Sequence, residues 1–375
     1  MATRNNWQIG REMTYPYDAA PPKRQVAYIF DTNKCIACQT CTVACKTGWT
    51  SGKGQESMFW NNVETRPYGG YPNRWDLSIF KKTGPAEWKG DQLRSSTIFE
   101  GNGPLDPPRG WLPEPEDYAA PNIGEDDIAG QIANGQHIQG EHPAWMFYLA
   151  RICNHCDNPA CAAACPRKAI YKRDEDGIVL IDQERCRGYQ ECIKACPYKK
   201  TFYNLINRTS EKCVGCFPRV EQGLQSLCVE GCIGKIRFHG FRTSQGTPRP
   251  DNPFDYLVHI KKLALPLYPQ FGTGPNVFYV PPIHVPDAYL EQLFGPGVHA
   301  SKELYRKVKD DKQMLGALLL FGSTDKMVDR FEVKDDHAIG YGIDGGEVSR
   351  VPFTEAHVIR NAIDERHQTF RHNTP

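Results

Sequence analysis

The chain has 375 residues and a formal net charge of +1, and 40% of its residues are hydrophobic. This composition is typical of a globular protein of two or three domains, and the balanced charge gives no reason to expect a nucleic-acid partner. The longest strongly apolar run, residues 314–322, is far shorter than the roughly 20 residues of a membrane-spanning helix, so we expect no membrane span. The N-terminal residues also lack the apolar stretch of a signal peptide.

The N-terminal part predicts an arm, a strand and a first cysteine motif. We interpret residues 1–24 as an N-terminal arm and residues 25–30 (QVAYIF) as a strand that leads into the motif. Four cysteines then follow with the spacing C-x2-C-x2-C-x3-C, which is the iron–sulfur run of bacterial ferredoxins: Cys35, Cys38, Cys41 and Cys45. We therefore expect residues 25–60 to hold the first cluster motif.

Residues 61–145 predict a loop-rich insertion. Its central segment, residues 83–143, is rich in Gly, Pro and acidic residues, a composition that favours irregular connections. A loop of this length within a compact domain usually has a function, and we expect this one to lie across a partner.

Residues 146–205 predict a second ferredoxin-like module with two motifs. The second motif has the spacing C-x2-C-x4-C-x3-C and ends in Cys-Pro, and its members are Cys153, Cys156, Cys161 and Cys165. The third motif also ends in Cys-Pro but has three members: Cys186, Cys192 and Cys196. Between them, residues 169–171 and 178–182 predict a β-hairpin with its turn at Asp176 and Gly177.

Residues 206–260 contain the fourth motif and are expected to complete the first module. The connection from motif three to motif four parallels the one between motifs two and three. It runs from residues 201–204 round to Lys212. The motif has 11 residues between its second and third members, which are Cys213, Cys216, Cys228 and Cys232. The four motifs account for all 15 cysteines, an odd number that argues against a closed set of disulfides.

Residues 261–375 contain no cysteine and predict a C-terminal extension that wraps around a partner. Two apolar segments, residues 264–269 (ALPLYP) and 277–282 (VFYVPP), have no helical period. Such segments bury more easily against another subunit than against each other. We therefore expect the extension to dock on a partner.

The chemistry of cubane clusters explains the cysteine spacing. Three closely spaced thiolates hold three irons, and the fourth cysteine of a run ligates the second cluster of a pair. Motifs two and three share the Cys-Pro ending that motifs one and four lack, so nested pairing is the simplest interpretation. It predicts cluster I at Cys35, Cys38, Cys41 and Cys232; cluster II at Cys45, Cys213, Cys216 and Cys228; cluster III at Cys153, Cys156, Cys161 and Cys196; and cluster IV at Cys165, Cys186 and Cys192.

Cluster IV lacks one ligand because Tyr189 stands where the C-x2-C register after Cys186 requires a cysteine. A phenol with a pKa near 10 is a poor iron ligand, so we expect the iron at that corner to be absent. The sequence therefore predicts three [4Fe–4S] clusters and one [3Fe–4S] cluster. The expected fold is α+β, with two nested ferredoxin-like two-cluster modules, long loop insertions and the C-terminal extension.

Three features of the sequence allow more than one interpretation. Pairs of C-x2-C also build structural zinc sites, although zinc ribbons use two such pairs rather than a run of four. His155, within the second motif, could replace a thiolate as in Rieske centres, but a hydrogen bond to the cluster or a contact with a partner fits the full cysteine register better. Lys34, Arg185 and Lys212 each precede a motif, and they either stabilise an anionic cluster or are solvated residues at strand ends.

The four motifs, with an aromatic residue replacing one cysteine of the third, resemble the iron–sulfur (beta) subunits of the complex molybdenum oxidoreductases. The similar branch contains respiratory nitrate reductase, nitrite oxidoreductase, the selenate, chlorate and perchlorate reductases, and the dimethyl sulfide and ethylbenzene dehydrogenases. Residues 6–10 (NWQIG), 15–17 (YPY) and 66–72 (RPYGGYP) look most like nitrite oxidoreductase beta subunits. Some of those subunits carry Asp where this chain has Cys45.

The resemblance implies a non-catalytic electron-transfer subunit. Electrons would pass through clusters I to IV between an alpha subunit that holds molybdenum bis-pterin guanine dinucleotide and a haem b gamma subunit or another carrier. The C-terminal extension would dock on the alpha subunit, and nitrite or nitrate is the favoured substrate. A periplasmic or equivalent location, reached by co-export with the alpha subunit, is expected, with the cytoplasmic face of the membrane as the alternative. The competing hypothesis is a free-standing iron–sulfur enzyme, but the sequence has no convincing nucleotide-binding loop.

Overall fold

The computed structural model describes residues 2–17, 20–67, 72, 75–100 and 145–354, together with strands at 362–364 and 369–371. Most of the predicted insertion, residues 101–144, lies outside the described residues. The helices are α1 (Thr40–Trp49), α2 (Trp75–Thr83), α3 (Ala160–Ala164), α4 (Glu191–Ala195), α5 (Phe217–Val220), α6 (Leu227–Glu230), α7 (Asp287–Phe294), α8 (Val298–Arg306) and α9 (Lys312–Leu319), with a π-helix at Asp255–Ile260 and 3-10 turns at Pro269–Phe271 and Val308–Asp310. The strands are β1 (Ala2–Asn6), β2 (Arg11–Tyr15), β3 (Gln25–Asp31), β4 (Asn62–Arg66), β5 (Trp88–Lys89), β6 (Gln92–Leu93), β7 (Phe147–Arg151), β8 (Ile170–Lys172), β9 (Val179–Ile181), β10 (Thr201–Asn204), β11 (Thr209–Lys212), β12 (Arg237–Arg242), β13 (Leu265–Pro266), β14 (Val277–Val280), β15 (Arg330–Lys334), β16 (His337–Tyr341), β17 (Glu347–Pro352), β18 (Ala362–Asp364) and β19 (Thr369–Arg371). Among the described residues, no helix combines the length and the apolar character that crossing a bilayer requires.

A four-stranded sheet in the order β12–β3–β14–β13 forms the centre of the described fold. The predicted strand at residues 25–30 is confirmed as β3, and every residue of β3 is buried. β12 pairs with β3 in antiparallel orientation, with Phe30 opposite Arg237, and β14 pairs with β3 in parallel orientation. Because β3 and β12 are antiparallel, the end of β3 lies beside the start of β12. The chain segments that leave β3 and enter β12 therefore meet at one end of the sheet.

Alternate residues of the central sheet face two different apolar cores. Val26, Tyr28 and Phe30 face a core that also contains several of the cysteines. Ala27 and Ile29 face a second core, which comes mainly from residues 254–338. Successive side chains of a strand point to opposite faces, so a strand that is covered on both faces is apolar throughout. The sheet thus separates the cysteine motifs from a C-terminal layer.

The two apolar segments of the C-terminal region belong to this sheet, and the expectation that they bury against another subunit is wrong for them. β13 and β14 are buried strands that complete the central sheet. Their lack of a helical period reflects strands with apolar cover on both faces, a pattern that also fits a partner interface. Farther along the chain, α8, α9 and the antiparallel meander β15–β16–β17 pack on the second face of the sheet.

Short hairpins connect the cysteine motifs. The predicted hairpin between motifs two and three is confirmed, because β8 pairs antiparallel with β9 and Gly177 adopts a φ of 69° in the connecting turn. β10 and β11 form a second antiparallel hairpin between motifs three and four. Helix α1 packs on α6, and α3 packs on α4. Motif one therefore lies beside motif four, and motif two lies beside motif three, in a fold of mixed helices and strands.

A buried carboxylate connects the segment before the insertion to the strand after it. β4 and β7 pair antiparallel, and Glu64 on β4 accepts a hydrogen bond of 2.7 Å from Nε of Arg151 on β7. Nη2 of Arg66 lies 3.2 Å from the same carboxylate, and Nε1 of Trp75 donates to it at 3.3 Å. Burial opposes the charge of Glu64, but the two guanidinium groups outweigh this effect and hold the pKa of the carboxyl at about 2.

We predict that Glu64→Gln lowers the free energy of unfolding by about 3 kcal/mol, because it removes a buried counter-charge from Arg151 and Arg66, of which Arg66 keeps its ion pair with Asp76. Thermal denaturation followed by circular dichroism measures the change. Since the folded pKa is below that of a free carboxyl, the stabilisation is present above about pH 4.5 and is lost as the pH falls towards 2. As a control, Glu221→Gln removes an exposed carboxylate 2.6 Å from Arg173 and should cost less than about 1 kcal/mol. Equal effects of the two substitutions would contradict the prediction.

Candidate metal centres

The same backbone turn occurs in all four cysteine motifs. The second residue after the first cysteine of each motif has a positive φ, as seen at Ala37 (53°), His155 (42°), Gly188 (68°) and Gly215 (60°). This left-handed conformation is uncommon for residues other than glycine. It turns successive backbone N–H groups towards a common point, as in anion-binding nests. Each turn therefore suits an anionic group at its motif.

The cysteines of predicted cluster I line one small cavity: Cys35, Cys38, Cys41 and Cys232. The pairing of β3 with β12 brings them together, because Cys35 closely follows β3 and Cys232 closely precedes β12. Arg237 lines the same cavity, and its Nη2 donates a hydrogen bond of 3.0 Å to Sγ of Cys41. Burial raises the pKa of the Cys35 thiol to about 11. This thiol therefore stays protonated near neutral pH unless a metal compensates the thiolate charge.

The cysteines of predicted cluster II come from α1 and from the segment that contains α5 and α6: Cys45, Cys213, Cys216 and Cys228. Burial raises the pKa of Cys45 to about 12, and the neighbouring Cys228 and Cys216 add to the shift. Trp49, one helical turn after Cys45, donates from Nε1 to Sγ of Cys216 at 3.1 Å. The two helices approach closely because Gly48 leaves room for Leu227, with whose side chain a Cβ at Gly48 would collide.

The cysteines of predicted cluster III line a second small cavity: Cys153, Cys156, Cys161 and Cys196. His155 is buried beside this cavity, and its Nδ1 accepts a hydrogen bond of 3.1 Å from the backbone N–H of Val179. This hydrogen bond assigns the ring proton to Nε2, and Nε2 has no partner among the described residues. Burial lowers the pKa of His155 well below its ordinary value, so the ring is neutral. A buried N–H without a partner suits a cluster sulfide as its acceptor and does not suit a metal–nitrogen bond.

The three cysteines of predicted cluster IV also lie together: Cys165, Cys186 and Cys192. Burial raises the pKa of Cys192 to about 12, and the neighbouring Cys165 and Cys186 contribute to the shift. The backbone N–H groups of Ala169 and Ser210 donate to Sγ of Cys165 and Cys186, each at 3.3 Å. The β8–β9 and β10–β11 hairpins provide these two donors, so local structure supports the set.

Tyr189 occupies the position at which motif three departs from motif one. The two motifs have the same spacing, and in this register Tyr189 corresponds to Cys38. The backbone agrees, because Gln39 and Gln190 both adopt the left-handed conformation immediately before α1 and α4. The Tyr189 side chain is 60% exposed. It lies largely in solvent and does not fill the position of the absent thiolate.

The three basic residues that precede motifs differ in their surroundings. Lys212 is buried, and its Nζ donates to the backbone oxygen of Cys213 at 2.8 Å. Burial lowers its pKa, but the neighbouring thiolates of Cys153 and Cys161 raise it overall. Lys34 is partly buried with Nζ 3.9 Å from Asp31, whereas the Arg185 side chain is 69% exposed. Lys212 is thus placed to offset cluster charge, and Arg185 is a solvated residue.

The donor sets fit iron–sulfur clusters better than single ions. All 15 cysteines lie in the described residues, and none of them forms a disulfide. Within the described ranges, no three Cys, His, Asp or Glu side chains converge closely enough to hold one metal ion. The thiols of predicted clusters I and III instead surround cavities. Thiolates separated around a shared centre are the arrangement that a cluster of irons and sulfides requires.

The cysteine spacing does not predict two other residues that contact these sites. Trp49 and Arg237 both donate to cysteine sulfur, at 3.1 and 3.0 Å. Helical periodicity could have placed Trp49 at the site, because it lies one turn beyond Cys45. Nothing local predicts Arg237, since its contact with Cys41 depends on strands that are far apart in the chain.

Known proteins share these motifs. Residues 144–242 match the family model described as a 4Fe-4S dicluster domain. The chain is 45% identical over 307 residues to the selenate reductase subunit beta of Thauera selenatis, which covers 74% of this chain and 88% of the relative. It is 45% identical over 308 residues to the chlorate reductase subunit beta of Ideonella dechloratans, with the same coverage of 74% and 88%. It is 40% identical over 320 residues to the respiratory nitrate reductase subunit beta of Haloferax mediterranei, which covers 76% of this chain and 86% of the relative.

The similarity extends over most of each relative and is not limited to the cysteine motifs. The identity is 40–45% over more than 300 residues, which reaches well beyond the region that matches the dicluster model. The chain belongs to the family of iron–sulfur beta subunits of the dimethyl sulfoxide reductase-type molybdoenzymes, and it acts as an electron-transfer subunit.

Proposed function

We propose that this protein relays electrons through four iron–sulfur clusters between a molybdenum catalytic subunit and a second electron carrier. One observation carries the proposal: the cysteines gather into four sets, and each set includes the same left-handed turn. The cluster ligands would be the cysteines of predicted clusters I to IV described above. When bound, the clusters take up and release single electrons. The chain supplies thiolates, backbone N–H donors and an apolar surrounding that excludes water.

Clusters I, II and III are proposed to be [4Fe–4S], and cluster IV is proposed to be [3Fe–4S]. The matching registers of motifs one and three support this difference, because Tyr189 replaces the cysteine that corresponds to Cys38. Its exposed side chain provides no thiolate at that corner. An iron held by sulfides alone would be lost easily, which leaves a three-iron cluster.

We also propose that the cluster pairs form two nested ferredoxin-like modules. Residues 146–205 would form the inner module with clusters III and IV, and residues 25–60 and 206–260 would form the outer module with clusters I and II. The packing of α3 on α4 and of α1 on α6 supports this division. The remaining parts are the N-terminal arm (1–24), the insertion (61–145) and the C-terminal extension (261–375), whose first strands complete the central sheet.

The proposed partners follow from the family. The alpha subunit would hold molybdenum bis-pterin guanine dinucleotide and would receive the C-terminal extension and the insertion. A haem b gamma subunit or another carrier would exchange electrons at cluster IV. The location would be the periplasm or an equivalent lumen, reached by co-export with the alpha subunit, and the cytoplasmic face of the membrane is the alternative.

We propose nitrite or nitrate as the substrate of the complex. The support is the resemblance of residues 6–10, 15–17 and 66–72 to nitrite oxidoreductase beta subunits. The alternatives are the same role in a selenate, chlorate or perchlorate reductase, the enzymes for which three of the relatives are named, or in a dimethyl sulfide or ethylbenzene dehydrogenase.

Purification tests the proposed role. We predict that the chain copurifies with a larger molybdenum-containing subunit, carries about fifteen iron atoms, and has no turnover when isolated. Inductively coupled plasma mass spectrometry measures the iron, zinc and molybdenum content of the purified protein. Activity assays of the complex with nitrite, nitrate, selenate and chlorate identify the substrate. A colourless zinc protein, or turnover by the chain alone, would refute the role.

Tyr189→Cys tests the assignment of cluster IV. The substitution supplies the absent thiolate, so we expect the electron paramagnetic resonance signal of the oxidised [3Fe–4S] cluster to disappear and the iron content to rise by about one atom per chain. Tyr171→Cys is a matched control, since Tyr171 is also an exposed tyrosine, on β8 between motifs two and three, but lies outside the motif register. Persistence of the full [3Fe–4S] signal in Tyr189→Cys would show that the register is wrong.

Cys45→Ala tests the exchange of ligands between motifs. We expect this variant to lose the signal of cluster II and to keep that of cluster I, because Cys45 belongs to motif one in the sequence but lies with Cys228 and Cys216. Cys232→Ala is the reciprocal variant and should lose cluster I instead. Redox titration monitored by electron paramagnetic resonance separates the two clusters. Selective loss of cluster I in Cys45→Ala is the outcome that rejects the ligand exchange.

A further inference from the structure

Arg237 is a fully buried arginine beside the cysteines of predicted cluster I (set I) and near Cys228 of predicted cluster II (set II). Its side chain is 1% exposed on β12. Nη2 donates to Sγ of Cys41, a member of set I, at 3.0 Å. Burial lowers the pKa of Arg237, but the thiolates of Cys41 in set I and Cys228 in set II raise it overall. The guanidinium is therefore within electrostatic range of both sets.

Two contacts besides the hydrogen bond to Cys41 fix the position of this guanidinium. Nη1 donates to Oδ1 of Asn61 at 2.9 Å. The guanidinium carbon lies 4.4 Å from the centre of the Phe30 ring, and Phe30 is the residue opposite Arg237 in the β3–β12 pairing. A planar guanidinium held by two hydrogen bonds and an aromatic face keeps a single orientation. The positive charge is thus held in a fixed position beside the Cys41 sulfur.

The titratable groups that face Arg237 are thiols rather than carboxylates. Its Nη1 partner, Asn61, is neutral, and none of the described carboxylates forms an ion pair with the guanidinium. Its Nε–H has no hydrogen-bond partner among the described residues. A buried charge without a counter-charge is strongly destabilising. Anionic clusters beside Cys41 and Cys228 would provide the counter-charge and an acceptor for Nε–H.

We propose that Arg237 is a positioning residue that raises the reduction potentials of clusters I and II, and that of cluster I more strongly. The inference rests on the ligand sets of the proposed function. Each cluster gains one electron on reduction, without a proton, and becomes more negative by one charge. A fixed positive charge stabilises the reduced form more than the oxidised form, and the effect is large in a water-excluded site. Cluster I responds more because Arg237 also donates directly to its ligand Cys41.

The same charge reduces the repulsion between electrons on neighbouring clusters. Clusters I and II share motifs one and four, so an electron on one disfavours an electron on the other. A cation near both sets attracts both electrons. Arg237 would therefore allow cluster I to accept an electron while cluster II is reduced, which a relay requires when several electrons pass in succession.

Three substitutions in the intact complex separate the charge from the hydrogen bond. Arg237→Leu removes both, Arg237→Gln keeps a donor without the charge, and Arg237→Lys keeps the charge without the planar fork. Redox titrations monitored by electron paramagnetic resonance give the reduction equilibrium of each cluster. We expect Leu and Gln to make reduction of cluster I at least tenfold less favourable, a fall of about 59 mV for one electron. We expect Lys to change it less than Leu or Gln does, because Lys keeps the positive charge.

Clusters III and IV are the internal reference, because Arg237 does not contact their cysteines in the described structure. Unchanged cluster I equilibria in Arg237→Gln with full iron content would overturn the inference, as would equal shifts of all four clusters. If Arg237→Leu fails to fold, the comparison of Gln with Lys makes the same test. Failure of the proposed function is read separately, from the wild-type complex, as the absence of the cluster I and II signals.

Discussion

The antiparallel pairing of β3 with β12 is the constraint on which the cysteine arrangement depends. It sets Phe30 opposite Arg237 and thereby brings together Cys41 and Arg237, which are 196 residues apart in the chain. A slip of one residue would turn every side chain of β12 to the other face. Phe238 would then face the cysteines, and Arg237 would face the apolar C-terminal core. The register of one strand pair therefore brings together both the cysteines of predicted cluster I and the charge beside them.

The rest of the cysteine region has little stability of its own. The helices that carry Cys161 and Cys192 have 5 residues each, and the β8–β9 hairpin has strands of 3 residues. Elements this short are not stable in isolation. Burial also raises the pKa values of Cys35, Cys45 and Cys192. Without metal these cysteines are therefore neutral thiols, and they release protons when metal binds. Cluster binding and folding are thus coupled, whereas the C-terminal layer supports the other face of the sheet by ordinary apolar packing.

How far the sequence predicts this protein depends on whether the determining contact is local. The cysteine motifs, β3 and the β8–β9 hairpin follow from short-range patterns, and the proposal of an absent ligand at Tyr189 rests on a pattern of the same kind. The role of residues 264–280 did not follow, because an apolar run without a helical period fits a doubly covered strand and a partner surface equally well. Arg237 and Glu64 were also beyond prediction. Each is a buried charge with a partner far along the chain, Cys41 on α1 for Arg237 and Arg151 on β7 for Glu64, and no spacing rule links these pairs.

The long interval between the two halves of the first cysteine set has a consequence for biosynthesis. At about 5–20 residues per second, a ribosome needs roughly 10–40 s to proceed from Cys41 to Arg237. During that time the motif-one cysteines have been made, but β12 and Cys232 have not. A nascent chain therefore exposes free thiols that could oxidise or bind the wrong metal before their proper partners emerge. The first set of cysteines is therefore complete only after Cys232 has been made, and the N-terminal motif has to stay reduced until β12 pairs with β3.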